Sequence, residues 1–523
     1  MGKFDTLLRR RTGPNGPIAT TGATPTHEGA PGYRREARGE LFLLAVANFV
    51  AEDTFYEAAG RRDDRLAGLV REIALADVAW LTAFVRWLRR DANMRSAALV
   101  AAAEAVHARL DAGRHGDNRQ LVEAALHRAD EPGEFVAYWH GRFGRRLPQP
   151  VKNGLRDAVA RLYTERSLLK YDTDGHTVRF GDVVDLVHPA PADARRSALY
   201  RYAIDRRHGR DEAPPPELPL LRARAELAAL PVAQRRAVLG DPERLARAGM
   251  TWEALSAWLA GPMDAAAWEA VIPSMGLMAL ARNLRNFDEA GVSDEVAAQV
   301  AARFADPDEV ARSRMLPFRW LAAYENAPSL RWGHALDHAL RASLANLPAL
   351  PGRSLVLVDT SASMTDRGFS RRSTMTPLKA AAVFGVALSA RGGDVDLRGF
   401  ATGVFRHRIP RGASVIDQVR RFCDRVGEVG HGTDIAGAVR SSWKGHDRVF
   451  VISDMQTMTP GVNGTVPHHV KLYGFNLGGY APTAIDAGSR NRIEFGGLTD
   501  ATFRAVPLIE RGGSAGWPWE DAA

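Results

Sequence analysis

The stretch Leu355 to Met364, LVLVDTSASM, constrains this chain more than any other. Four consecutive apolar residues read as a strand buried on both faces, of the kind found in the middle of a parallel sheet. Open α/β sheets bind ligands in the loops beyond the carboxyl ends of such strands. Here those loop positions carry Asp359, Ser361 and Ser363, an oxygen-bearing side chain at every second residue. A carboxylate and two hydroxyls are hard donors suited to Mg2+, which keeps several waters and takes few protein ligands. Asp and Ser also cap ordinary helices, so the triplet alone leaves a plain polar turn open. Two later segments supply what it lacks: Gly432-Thr433-Asp434 opens a helical pattern, and Asp454 closes a second apolar run, RVFVISD.

The five residues Asp359, Ser361, Ser363, Thr433 and Asp454 resemble the metal-ion-dependent adhesion site of von Willebrand factor A domains: Asp-x-Ser-x-Ser, a distant Thr, and a distant Asp after a hydrophobic strand. The surrounding pattern agrees. Beyond a boundary at Pro348, Pro351 and Gly352, the spacing predicts a strand at 355–358, a helix at 376–391, a strand at 394–400, helices at 414–426 and 433–443, and strands at 448–453 and 469–475. That alternation predicts a doubly wound parallel sheet.

A chain of 523 residues is too long for one core and predicts at least two domains. Residues 1–34, rich in Gly, Pro and Thr with an Arg9-Arg10-Arg11 run, read as a flexible arm. Residues 35–350 are dominated by apolar positions at helical spacing, broken at 61–64, 91–93, 113–117, 130–133 and the Pro148 and Pro150 pair. Successive helices of this kind suggest an α-solenoid of HEAT type. A β interruption is expected at Lys170–Arg179, and Pro214-Pro215-Pro216 marks a rigid connector. Met275, Met278, Leu280 and Leu284 read as ordinary core. Residues 351–523 form the A-like domain.

The single cysteine, Cys423, excludes an intrachain disulfide and a zinc site built on paired thiolates, which suits a reducing compartment. No apolar run reaches the length of a membrane span, and the start MGKFDTLLRRR lacks a secretory signal, so a cytoplasmic location is expected. The net charge of +8 is concentrated: residues 142–210 carry 15 Lys and Arg against 8 Asp and Glu. Such a cluster attracts polyanions. Within it, Arg145, Arg146, Lys152, Arg156, Lys170, Arg179 and His188 are candidate phosphate contacts, and Tyr171 and Phe180 candidate platforms for unpaired bases. No H-E-x-x-H, phosphate loop or nucleophile–base pair at informative spacing is present, so no catalysis is expected.

The helical region has its own resemblance. GLRDAVARLYTERSLLKY, RFGDVVDLVHPAP, IPSMGLMALARNL and SRMLPFRWLAAY, in this order and followed by the metal motif, are similar to the TROVE module of the Ro autoantigen family, over about residues 35–510. The resemblance implies a ring of HEAT-like helices closed by the A domain. It implies binding of small noncoding Y RNAs and of single-stranded ends of misfolded RNA, with a possible exoribonuclease partner, and no role for DNA or membrane. The sequence departs from relatives at Arg179-Phe180-Gly181-Asp182, where they carry a His before an Asp-Leu-Leu run, a departure that bears on RNA preference. Two readings from other classes stand beside it: a metal-dependent protein-interaction module, and an adaptor for a ring-shaped ATPase.

Overall fold

The computed structural model describes residues 15–520 apart from 48–49, 211–212, 328, 345–349, 370–374, 391–392, 498–499 and 512–513. Arg9–Arg11 and Pro348 therefore lie outside the described residues. The strands, in chain order, are Thr20–Pro25 (β1), Pro31–Arg35 (β2), Arg353–Asp359 (β3), Asp394–Phe400 (β4), Val404–Arg406 (β5), Arg448–Ser453 (β6), Lys471–Asn476 (β7), Pro482–Thr483 (β8) and Arg492–Gly496 (β9).

The main sheet runs β5-β4-β3-β6-β7-β9, parallel throughout except for the antiparallel edge strand β5. Its centre, β3 and β6, is where the unbroken apolar runs fall, because a strand covered on both faces has no position for a polar side chain. Leu355 and Leu357 pack on one face with Val449, Val451, Ile435 and Val439. On the other, helix Pro377–Ala390 approaches so closely that a Cβ at Gly385 would sit 2.8 Å from Val358 Cγ2. The parallel strands follow the order 2-1-3-4-5, which reverses between β3 and β6. Ligand crevices open at such reversals, and Asp359 ends one of these strands while Asp454 follows the other.

The chain divides into two compact units. One comprises the residues up to Ile73 with Met315–Ala322 and Asp337 onward, and the other Ala74–Arg314 with Ala323–Leu336. The second unit is helical among its described residues, and its helix starts follow side-chain chemistry. Asp77, Thr164, Asp193, Thr251, Asp264 and Ser293 each accept a hydrogen bond from the N–H three residues on.

Five expectations are corrected. Over residues 20–35 the N-terminal segment is no flexible arm: β1 and β2 form an antiparallel hairpin, and β2 pairs with β8. Arg35 makes it stay, donating from Nε and Nη2 to Glu494 (2.7 and 2.6 Å) with both side chains fully buried. The helical module does not begin at 35 either, since residues up to Ile73 belong with the sheet. Helix Ala37–Ala47 buries Leu41, Phe42, Leu43, Leu44 and Ala45. Such all-round burial announces a covered helix without revealing what covers it. The expected break at 61–64 lies inside helix Ala59–Ala76, where Arg62 pairs with Glu57 (2.9 Å) and Asp63 accepts from the Ala51 N–H (3.3 Å). The expected β interruption at 170–179 is the end of helix Glu165–Tyr171 followed by turns, held by Asp172, which accepts from the Phe180 N–H at 2.9 Å. Met275, Leu280 and Leu284 are core, whereas Met278 is 46% exposed, off the buried face of helix Leu277–Glu289.

Candidate metal centre and nucleic-acid interface

The loops after β3, β4 and β6 and the loop that opens helix Ile435–Ser442 are laced together by backbone bonds. Thr360 N–H donates to Phe400 O (2.8 Å), Ala362 N–H to His431 O (3.0 Å), Asp434 N–H to Ala401 O (3.0 Å) and Met458 N–H to Thr433 O (2.9 Å). This lacing ties together the loops that carry the five predicted positions. All five are buried: Asp359 0%, Ser361 1%, Ser363 8%, Thr433 1% and Asp454 3% exposed. Asp359 Oδ1 accepts from the Ser361 N–H (2.8 Å) and its Oδ2 from the Ser453 hydroxyl (2.5 Å), while the Ser361 and Ser363 hydroxyls are 3.3 Å apart. Asp454 Oδ1 accepts from the Gln456 N–H (3.1 Å), and its Oδ2 is buried without a hydrogen-bond partner.

Burial drives the Asp359 carboxyl up to about 6, and burial together with the Asp359 charge drives Asp454 up to about 7. Neither has an ion-pair partner among the described residues. Two buried carboxylates that repel each other, one with an orphaned oxygen, beside three hydroxyl side chains, form a donor set that fits a hard divalent cation. Among the described residues no three His, Cys, Asp or Glu side chains cluster to hold an ion by themselves. A site of this composition therefore relies on hydroxyls and waters.

The sequence reading missed the supporting shell. Ser453 orients Asp359, and Thr457 Oγ1 donates to Thr433 O (3.1 Å). Gly478 leaves room for Asp454, whose Cβ would be 2.7 Å from an added Cβ. Ser453 and Thr457 flank the Asp454 motif and are the part that spacing signals; Gly478 comes from the segment after β7 and carried no such signal.

In the helical unit the eight candidate RNA contacts separate by environment. Arg145, Arg146, Lys170 and His188 are exposed, and Lys152, Arg156 and Tyr171 half-buried. Arg145, Arg146, Lys152 and Lys170 have no carboxylate partner among the described residues. Arg156 is committed to structure, donating from Nε and Nη2 to Val187 O at 2.9 and 2.8 Å. His188 ends helix Phe180–Val187 in the left-handed region, its N–H bonded to Val184 O. Lys170 Nζ and the Arg128 guanidinium stand 5.1 and 5.3 Å from the Tyr171 ring centroid, a cation–aromatic group in which Arg128 was not foreseen.

Arg179 and Phe180 are corrected. Arg179 is buried and pairs with Asp172 (2.9 Å) and Asp174 (2.7 Å), and Phe180 stacks on Tyr163 with centroids 3.8 Å apart in the core. Both are internal ties, because the Asp172 carboxylate recruits the guanidinium and the Phe180 N–H together. Arg179→Ala is expected to destabilise the helical unit by about 3 kcal/mol, the lower end for breaking a buried pair. Urea unfolding of the two proteins measures it, and an unchanged midpoint would return Arg179 to the surface-contact candidates.

Comparison with known proteins gives a partial family match and a fold likeness. The TROVE domain model matches residues 229–332, which contain the whole of the IPSMGLMALARNL and SRMLPFRWLAAY segments, while the two earlier segments lie outside the match. Over these residues the chain is similar to TROVE domains. Its fold is that of a bacterial Ro protein: the crystal structure of the Ro (RSR) protein of Deinococcus radiodurans superposes with a TM-score of 0.61 over 91% of this chain and 100% of that one, at 18% identity. No curated protein matches the chain in sequence. No helix among the described residues is long and apolar enough to cross a membrane.

Proposed function

We propose that the chain is an RNA-binding scaffold of Ro type, a ribonucleoprotein component that catalyses no reaction itself. It binds a small noncoding Y-like RNA and the single-stranded 3′ ends of misfolded or structured RNA, and serves RNA quality control or decay in the cytoplasm, with an exoribonuclease as its class of protein partner. The TROVE match over residues 229–332 carries this reading, and the Ro-type fold supports it. The helical unit is then a HEAT-like solenoid, on which the exposed cations Arg145, Arg146 and Lys170 make phosphate contacts and Tyr171 offers a base a stacking face.

The sheet unit is, in this reading, a von Willebrand factor A domain. Asp359, Ser361, Ser363, Thr433 and Asp454 would hold a divalent cation, Mg2+ in the first place and Mn2+ as a substitute. The bound cation supplies a Lewis-acidic coordination point. The chain's own part is to orient Asp359 through Ser453 and to hold Asp454 buried with its Oδ2 free of other partners. The orphaned Asp454 Oδ2 also favours a second reading, in which the cation serves a metal-dependent protein contact or an ATPase adaptor.

A salt titration separates the readings. Phosphate neutralisation on a single strand lowers log K against log salt by about 0.7 per contact. The triple variant Arg145→Ala, Arg146→Ala, Lys170→Ala should therefore bind a structured RNA with a single-stranded 3′ tail more weakly, with a slope shallower by about 2. An RNA without the tail should bind less tightly to both proteins. Wild-type affinity and slope in the triple variant would remove the RNA site from this face. Absence of RNA from the natively purified protein would favour the protein-interaction reading.

A further inference from the structure

The hairpin that the sequence reading took for an arm ends at the cation site. Its turn is a three-residue loop: Thr26 N–H donates to Ala30 O (2.8 Å), Gly29 N–H to Thr26 O (3.0 Å), and Gly29 has φ +89°, a conformation glycine adopts without strain. The loop is fastened to the segment that follows Asp454. Thr26 Oγ1 donates to Thr457 O (2.7 Å), and the His27 N–H donates to Gln456 Oε1 (2.9 Å). The Gln456 side chain in turn donates to Pro482 O on β8, the strand that pairs with β2.

At the tip stands Glu28, whose carboxylate accepts a hydrogen bond from the Tyr56 hydroxyl. Tyr56 stacks on His27 (centroids 5.0 Å, planes 5° apart) and meets Tyr480 edge-on at 5.2 Å, so three rings hold the tip in place. The Ser363 side chain interacts electrostatically with both Tyr56 and Asp454, and the Glu28 charge acts on Asp359 and Asp454 alike. An exposed loop thus points a third negative charge at two buried carboxylates. Such an arrangement is repulsive unless positive charge enters among them.

We propose that Glu28 is the chain's own carboxylate over the cation site: when a divalent cation binds among Asp359, Ser361, Ser363, Thr433 and Asp454, Glu28 accepts a hydrogen bond from a cation-bound water, in the place where a partner's acidic side chain would otherwise act. Glu28 works through water because, among the described residues, no three carboxylates cluster closely enough to ligate directly, and Mg2+ keeps waters of its own. Cation binding and seating of the hairpin are then one linked equilibrium. This inference rests on the cation reading of the sheet unit given above.

The test uses the full chain in wild-type, Glu28→Gln and Asp359→Ala forms, with Mg2+ alone as the probe. Calorimetry reads the affinity, and hydrogen exchange of the amides of residues 20–35 reads the hairpin with and without Mg2+. Wild type should bind Mg2+ and slow the exchange of these amides about tenfold. Glu28→Gln, an isosteric change at an exposed turn, should bind about tenfold more weakly, the scale of an outer-shell contact, and lose the Mg2+-dependent protection. Wild-type affinity in Glu28→Gln, with hairpin exchange indifferent to Mg2+ in both proteins, would overturn the role of Glu28 and leave the cation site standing. A wild-type protein that binds no Mg2+ would overturn both.

Discussion

Asp359→Ala is expected to lower the affinity for Mg2+ and Mn2+ by about 100-fold or more, since loss of an outer-shell partner alone costs 10–100-fold and Asp359 is placed to ligate directly. The residue ends the central strand β3, is fully buried, and is oriented at both oxygens by Ser361 and Ser453. Asp454 is the only other carboxylate among the five predicted residues. Binding to the folded state alone stabilises by about 2.7 kcal/mol at a hundred times Kd, so added Mg2+ should raise the unfolding midpoint of the sheet unit in wild type and leave the variant unmoved. The helices of Ala74–Arg314 form a separate compact unit and should be unaffected. Calorimetry showing the same metal affinity in the variant would remove Asp359 from the ligand set. Chelation should change protein-partner contacts while leaving RNA affinity intact. Equal loss of RNA binding in EDTA and in Asp359→Ala would place the cation in the RNA site instead.

Arg35→Ala should cost about 3–5 kcal/mol in the sheet unit, the range for removing one partner of a buried ion pair and leaving the other charged. Arg35 satisfies more than Glu494. Its Nη1 donates to the Tyr480 and Ala481 carbonyls at 2.6 and 2.9 Å, while Glu494 also accepts from Asn476 Nδ2 (2.9 Å) and Thr483 Oγ1 (2.8 Å). The network joins β2, β7, β8 and β9. Replacing both charges, Arg35→Met with Glu494→Gln, should recover much of the loss, because the unpaired buried charge is then gone. Hydrogen exchange of residues 353–359 under increasing urea reads the sheet unit by itself. A loss below about 1 kcal/mol in Arg35→Ala, typical of an exposed pair, would mean that the hairpin is only loosely attached.

The candidate site was largely legible in the sequence because its chemistry is local. Asp359, Ser361 and Ser363 alternate along one strand end, and Asp454 follows an apolar run that has few alternative readings. Thr433 was legible through its place before the N-cap Asp434, whose carboxylate accepts from the Gly437 N–H at 2.7 Å. The doubly wound sheet was legible for the same reason, since fully buried parallel strands show as uninterrupted apolar runs.

Charge was where sequence reasoning reached its limit. Arg145 and Arg179 are the same residue type in the same basic block, yet one is exposed and the other lies buried against Asp172. Only the fold decides which arginines meet a carboxylate and which keep their charge for a partner. The N-terminal segment shows the same limit over a longer distance. Gly, Pro and Thr dominate residues 15–34 and carry no hydrophobic periodicity, so composition by itself predicts disorder. The order comes from contacts hundreds of residues away: Arg35 with Glu494, Thr26 with Thr457, and His27 with Gln456. The sequence by itself determined the buried strands and the oxygen donors at their ends, because burial on two faces and oxygen ligation each demand particular residues at short spacing. The tertiary structure alone decided that the hairpin of residues 20–35 is fastened beside that site, because a hairpin edge and a buried ion pair are specified by partners from the far end of the chain.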